Sequence, residues 1–217
     1  NISSTILAKN SDKFSDADDV SNYFSGILSV KDNQYKKSYF YLKSLNNLED
    51  NHYNYSQYYQ YSLIALGKFK DAANYAKKLE GKKIDNFESN LITAVYYLEN
   101  KDFKNASVYL KKIEKKYQLN SIQKLLSLSL NTWINFKNIS DLSSNLVSLD
   151  NIPERFKSIK DIQKTFVYCY FNSPKTDAMF EQLTSNPDVD FSRYIFFHLN
   201  YLISKKNDKK IKKTFKS

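Results

Sequence analysis

Three aromatic residues, Tyr35, Phe69 and Phe103, stand 34 residues apart, each after a short polar stretch (Lys31–Gln34, Leu66–Lys68, Asn100–Asp102). Other columns keep the same register. Three residues after each aromatic comes a small side chain, Ser38, Ala72 or Ala106. Seven after come Leu42, Ala76 and Leu110; ten after, Leu45, Leu79 and Ile113; nine before, Gly26, Gln60 and Ala94. Offsets of three, seven and ten fall on one face of an α-helix. Small residues where helices cross let the backbones approach, and larger neighbours fill the grooves between them. Any helical bundle has apolar residues three or four apart, but a bundle imposes no fixed 34-residue register. The period therefore predicts stacked helix pairs.

Past Tyr117 the columns continue in looser register. Leu126, Leu130 and Trp133 precede Ile139, Leu142, Leu146 and Leu149. Ile162, Phe166 and Cys169 lead through the turn Asn172-Ser173-Pro174 to Ala178. Ile195, Leu199 and Leu202 lead through Asn207-Asp208 to Ile211 and Phe215. Composition supports helices throughout. Glycine and proline number three each, whereas hairpin sheets, dinucleotide-binding units and phosphate loops use glycine at turns of positive φ. Few such turns are expected here.

The segment Tyr61-Ser62-Leu63-Ile64-Ala65-Leu66-Gly67-Lys68-Phe69-Lys70-Asp71-Ala72-Ala73 resembles the core of the tetratricopeptide repeat family, as does Asn100-Lys101-Asp102-Phe103-Lys104-Asn105-Ala106. That family has 34-residue units of two helices, with a small residue in each and an aromatic opening the second. The chain departs from it where Asn22, Ser56 and Asn90 replace the first-helix tryptophan, and in lacking the closing proline of the first three units. The resemblance implies an all-α, right-handed α-solenoid of about six helix pairs. Residues 1–19 would form an N-terminal cap or flexible segment, residues 20–120 three regular repeats, and residues 121–217 degenerate pairs of which the last is truncated. The arrangement also resembles exported tetratricopeptide proteins of alphaproteobacteria, which implies a bacterial, periplasmic or exported protein ahead of a cytoplasmic one. The start at Asn1 without Met fits a fragment or a processed form.

The functional surface implied by the resemblance is a concave groove lined by the first helix of each pair. Carried over by column, its residues are Tyr23, Ile27 and Val30, then Gln57, Tyr61 and Ile64, then Leu91, Val95 and Leu98, with Lys124, Ser127 and Asn131 in the fourth unit. Tyrosine suits such a surface, being large, rigid and amphipathic. An apolar helix or an extended peptide is the expected partner. Family members that clamp a terminal carboxylate use Lys and Asn at several of these columns, so Tyr, Ile, Gln, Leu and Val here argue against that ligand class.

Chemistry-bearing motifs are sparse. His52 and His198 have no His or Cys neighbour at metal-ligand spacing, and the single Cys169 excludes an intramolecular disulfide and a cysteine-based zinc site. Three glycines (Gly26, Gly67, Gly81) make no phosphate-binding loop. Asp16, Asp18 and Asp19, like Asp188 and Asp190, precede helices where carboxylates favour the N-terminus. No catalytic residue, metal, cofactor or small-molecule substrate is expected, and the chain is read as a binding protein rather than an enzyme.

The net charge is +10, which taken alone suggests an anionic partner. Arginine, the residue that reads phosphates bidentately, occurs only at Arg155 and Arg193, while Lys, Asn, Ile, Tyr and Phe abound. That is the signature of an AT-rich genome, which accounts for the charge without nucleic acid. The run Lys205-Lys206-Asn207-Asp208-Lys209-Lys210-Ile211-Lys212-Lys213 leaves a peripheral module touching a membrane surface or nucleic acid as the alternative function. A solvated lysine face on a helix packed through Ile211 and Phe215 is the plainer account.

Overall fold

A computed structural model describes residues 17–45, 48–50, 52–135, 141–185 and 193–214. Among them there is no strand. The helices are α1 (Ala17–Lys31), α2 (Tyr35–Lys43), α3 (Tyr53–Ala65), α4 (Phe69–Gly81), α5 (Phe87–Glu99), α6 (Phe103–Lys116), α7 (Ser121–Asn135), α8 (Leu142–Asp150), α9 (Lys157–Tyr170), α10 (Thr176–Thr184), α11 (Tyr194–Ser204) and α12 (Asp208–Thr214). Single 3₁₀ turns lie at Leu48–Asp50 and Glu154–Phe156. None of the described helices is long and apolar enough to cross a membrane. Two compact units divide the chain, residues 1–113 and 114–217. The expected cap over residues 1–16, Ile139, Asp188, Asp190 and Phe215 lie outside the described residues.

The three periodic aromatics each occupy the first position of a helix, α2, α4 and α6, and Tyr53 and Phe87, also 34 apart, open α3 and α5. Their columns are buried. Ser38, Ala72, Ala106, Leu42, Leu110 and Ile113 are fully shielded, as nearly are Ala76, Leu45, Leu79, Gln60 and Ala94. In the first unit α1 packs on α2 and α3, and α4 packs on α3 and α5. Gly26 sets the closest approach: a Cβ there would sit 2.5 Å from Leu42 Cδ2 and 2.6 Å from its Cγ. In the second unit each of α8 to α12 packs on its predecessor, from α7 onward. Leu125, Leu149, Ile152 and Val167 form a core there.

The turns repeat as well, and positive φ is commoner than three glycines suggest. Asn33, Gly67 and Lys101 all have positive φ (58°, 70° and 59°), and so do Asn172 and Lys206 (52° and 54°). Each follows the first helix of a pair, and within both sets the spacing is again 34. Each turn closes with the same two backbone bonds. At Lys101 the N–H donates to Leu98 O (3.0 Å) and the next N–H, of Asp102, to Tyr97 O (2.8 Å). This is the left-handed cap that satisfies the last carbonyls of a helix. Glycine is its usual occupant, but hydrogen-bond closure and helix packing hold asparagine and lysine in it too.

Much of the tyrosine goes into the first core. Tyr23, Tyr55 and Tyr75 are buried with Leu42, Leu45, Leu48, Leu63 and Leu79. Tyr59 stacks on Tyr55 and meets Tyr75 edge-on, with centroids 5.9 and 4.9 Å apart. The hydroxyls stay hydrogen-bonded, Tyr55 donating to Leu42 O at 3.0 Å and Tyr75 pairing with Ser56 at 3.2 Å, as buried hydroxyls require. Burial raises Tyr55 and Tyr75 well above the ordinary value of 10, and Tyr59 to about 12. Beside them Glu49, its side chain 1% exposed, accepts from Lys78 and Lys82 Nζ at 2.5 and 2.8 Å. Burial alone would raise that carboxyl; the two ammonium groups overcome it and hold the pKa below the usual glutamate value.

Candidate functional site

The face of the first unit formed by α1, α3 and α5 carries two adjoining apolar hollows. The larger, about 390 Å³, is lined by Val30 of α1, by Gln57, Tyr58, Gln60, Tyr61 and Ile64 of α3, and by Glu88 and Ile92 of α5. The smaller, about 210 Å³, is lined by Ile64, Phe69, Leu91, Ile92, Val95, Tyr96 and Glu99. Ile64 and Ile92 form a wall common to both. Local chemistry fixes these helices. Asn86 caps α5, its side chain accepting from Ser89 N–H at 2.8 Å while Ser89 Oγ accepts from Asn86 N–H at 2.9 Å. Tyr61 lies edge-on against Tyr35, with centroids 5.7 Å apart. At the rim Gln57 Nε2 donates to Tyr53 Oη at 2.8 Å, and Tyr53 Oη donates weakly to Glu88 Oε2 at 3.5 Å.

Val30, Gln57, Tyr61, Ile64, Leu91 and Val95, six of the groove residues read from the repeat columns, thus line one hollow or the other. Tyr61 and Val95 are the most open, at 50% and 43% exposure. Tyr23 is 9% exposed and belongs to the core, with Ile27 packed against the same cluster. Leu98 is half-buried on α5 and lines neither hollow. In the second unit Lys124 is exposed on α7. Ser127 and Asn131 donate to Glu114 Oε1 at 3.1 and 2.6 Å. The columns missed Glu88, Ile92, Tyr96 and Glu99, which follow one stripe of α5 at steps of four, four and three. A helical-face count extended beyond the carried-over columns would have found them.

No family model, curated protein or solved structure matches the chain.

Elsewhere polar side chains pair between helices. His198, 1% exposed and stacked on Phe180 (5.2 Å), bonds through Nε2 to Asp177 Oδ1 at 2.8 Å. Lys210 pairs with both Asp177 and Glu181. Burial opposes ionisation of Asp177, but its bonds to Lys210 and His198 bring the carboxyl below its ordinary value. One of the lysines in the C-terminal run is therefore engaged in joining α12 to α10. Cys169 is half-buried, and burial raises its thiol pKa, the opposite of an activated nucleophile. Among the described residues no group of three or more His, Cys, Asp or Glu side chains is placed to hold a metal.

Proposed function

We propose that the chain is a tetratricopeptide-type scaffold, a right-handed solenoid of helix pairs that binds a protein or peptide along the face formed by α1, α3 and α5, and that it is not an enzyme. The observation carrying this reading is the pair of adjoining hollows, apolar-walled and open, formed by the first helices of successive pairs. Contiguous apolar concavities of this kind mark ligand and partner sites. The 34-residue spacing of helix starts and of left-handed turns supports the repeat assignment.

Ile64, in the shared wall, is the residue to change. A display library of capped peptides selected on the full chain is expected to enrich binders. Their affinity should fall at least about tenfold on Ile64→Arg, the cost of a charge in an apolar contact, while the helical circular dichroism stays native. Peptides that bind both proteins equally would put the site elsewhere, and the same comparison with Lys209, Lys212 and Lys213 reversed to Glu would show whether the basic helix is that place.

A further inference from the structure

The chain carries 33 Lys and Arg against 23 Asp and Glu, yet among the described residues no Lys or Arg lines either hollow. Each hollow instead has one glutamate, Glu88 in the larger and Glu99 in the smaller. Elsewhere carboxylates near the helices are neutralised by lysine, as at Glu49, Glu80, Asp85, Asp150 and Asp177. Among the described residues Glu88 and Glu99 are in no ion pair. The second observation is Gln60. It occupies a column where the other two repeats have Gly26 and Ala94, it is 2% exposed, and neither its Nε2 nor its Oε1 has a partner. It lines the larger hollow. A buried amide left without partners keeps its full hydrogen-bonding demand, and Gln60 stands in the wall where a bound chain could meet that demand.

We infer that the groove takes a basic, apolar peptide in extended conformation, with two apolar side chains in the hollows, Lys or Arg beside Glu88 and Glu99, and the Gln60 carboxamide paired with a backbone amide. This rests on the groove reading above. An extended residue presents a free N–H and C=O, as in strand addition to a sheet edge, whereas a helix uses both internally and leaves Gln60 unpaired. Two adjoining hollows can each receive one of the side chains that an extended peptide presents on one side at every second residue.

The test uses heptapeptides capped at both ends, selected on the full chain and counter-selected on Ile64→Arg. Synthetic copies of the winners are titrated by fluorescence polarisation. The expected winners carry apolar residues at alternate positions with Lys or Arg between them. Gln60→Leu weakens them about tenfold, as does N-methylation of the central peptide amide, and the Glu88→Gln/Glu99→Gln pair weakens them several-fold and flattens the salt dependence. Winners with apolar residues three and four apart, acidic winners, or undiminished binding to Gln60→Leu would overturn the inference while leaving the groove intact. Absence of any enrichment over Ile64→Arg would remove the groove reading and this inference together.

Discussion

A lysine in the left-handed region is held there against its own preference. Lys101, with φ of 59°, carries a Cβ that crowds the following carbonyl, a cost of about 1–2 kcal/mol for an L-residue. The turn tolerates it because that conformation satisfies Leu98 O and Tyr97 O. Lys101→Gly is expected to raise stability by about 1 kcal/mol, less any entropy given to the unfolded chain, measurable as a higher urea midpoint at unchanged slope. Gly67→Ala should lose a similar amount. Gly26 is constrained differently, by contact rather than dihedral angle. Leu42 is fully buried, and a new Cβ would force it to shift within the core. Overpacking of about 1–3 kcal/mol should therefore exceed the helix-propensity gain of about 1 kcal/mol, and Gly26→Ala should destabilise.

At the level of elements, the connection between α2 and α3 is held to α4 by charge. Glu49 and Asp50 in the 3₁₀ turn meet Lys82, and Glu49 also meets Lys78. The Glu49 carboxyl is lowered in the folded state, as are Glu80 and Asp177. A lowered folded value means that the stabilisation is complete above the unfolded value, about 4.3 for glutamate, and is lost as pH falls through the folded one. Stability should thus hold steady from neutrality to about pH 5 and decline below it. Glu49→Gln should cost about 1–2 kcal/mol at neutral pH and show a shallower acid decline in pH-dependent urea melts. Helix starts and buried columns were legible in the sequence because Tyr35, Phe69 and Phe103 repeat a chemical demand at a fixed interval. The turns were not, because the period places the left-handed residue while packing decides which side chain is forced to adopt it. The groove was legible in part: columns found Tyr61, Ile64 and Val95, but Tyr23, in the column of Gln57 and Leu91, is taken up by the core. Gln60 was read only as a member of the column nine residues before each aromatic, and nothing in its spacing revealed an unpaired amide.

On the scale of the whole chain, each unit has a buried cluster of its own. The single Trp133 reports on the second, where it packs against the core and donates to Gln163 at 2.5 Å. Gly26→Ala perturbs the first. Urea unfolding of that variant should shift the far-ultraviolet transition to lower denaturant while the Trp133 fluorescence midpoint moves less. Coincident shifts would show that the units unfold as one cooperative body.

The buried tyrosines carry a consequence for chemistry in strong base. Tyr55 and Tyr75 resist ionisation far beyond the ordinary range and Tyr59 does so up to about 12. Since the unfolded chain ionises near 10, strong base should destabilise the first unit. Phenolate absorbance in an alkaline titration should therefore rise in two stages, a graded one from surface rings and a steep one from rings released together, making the core's own chromophores the gauge of its collapse.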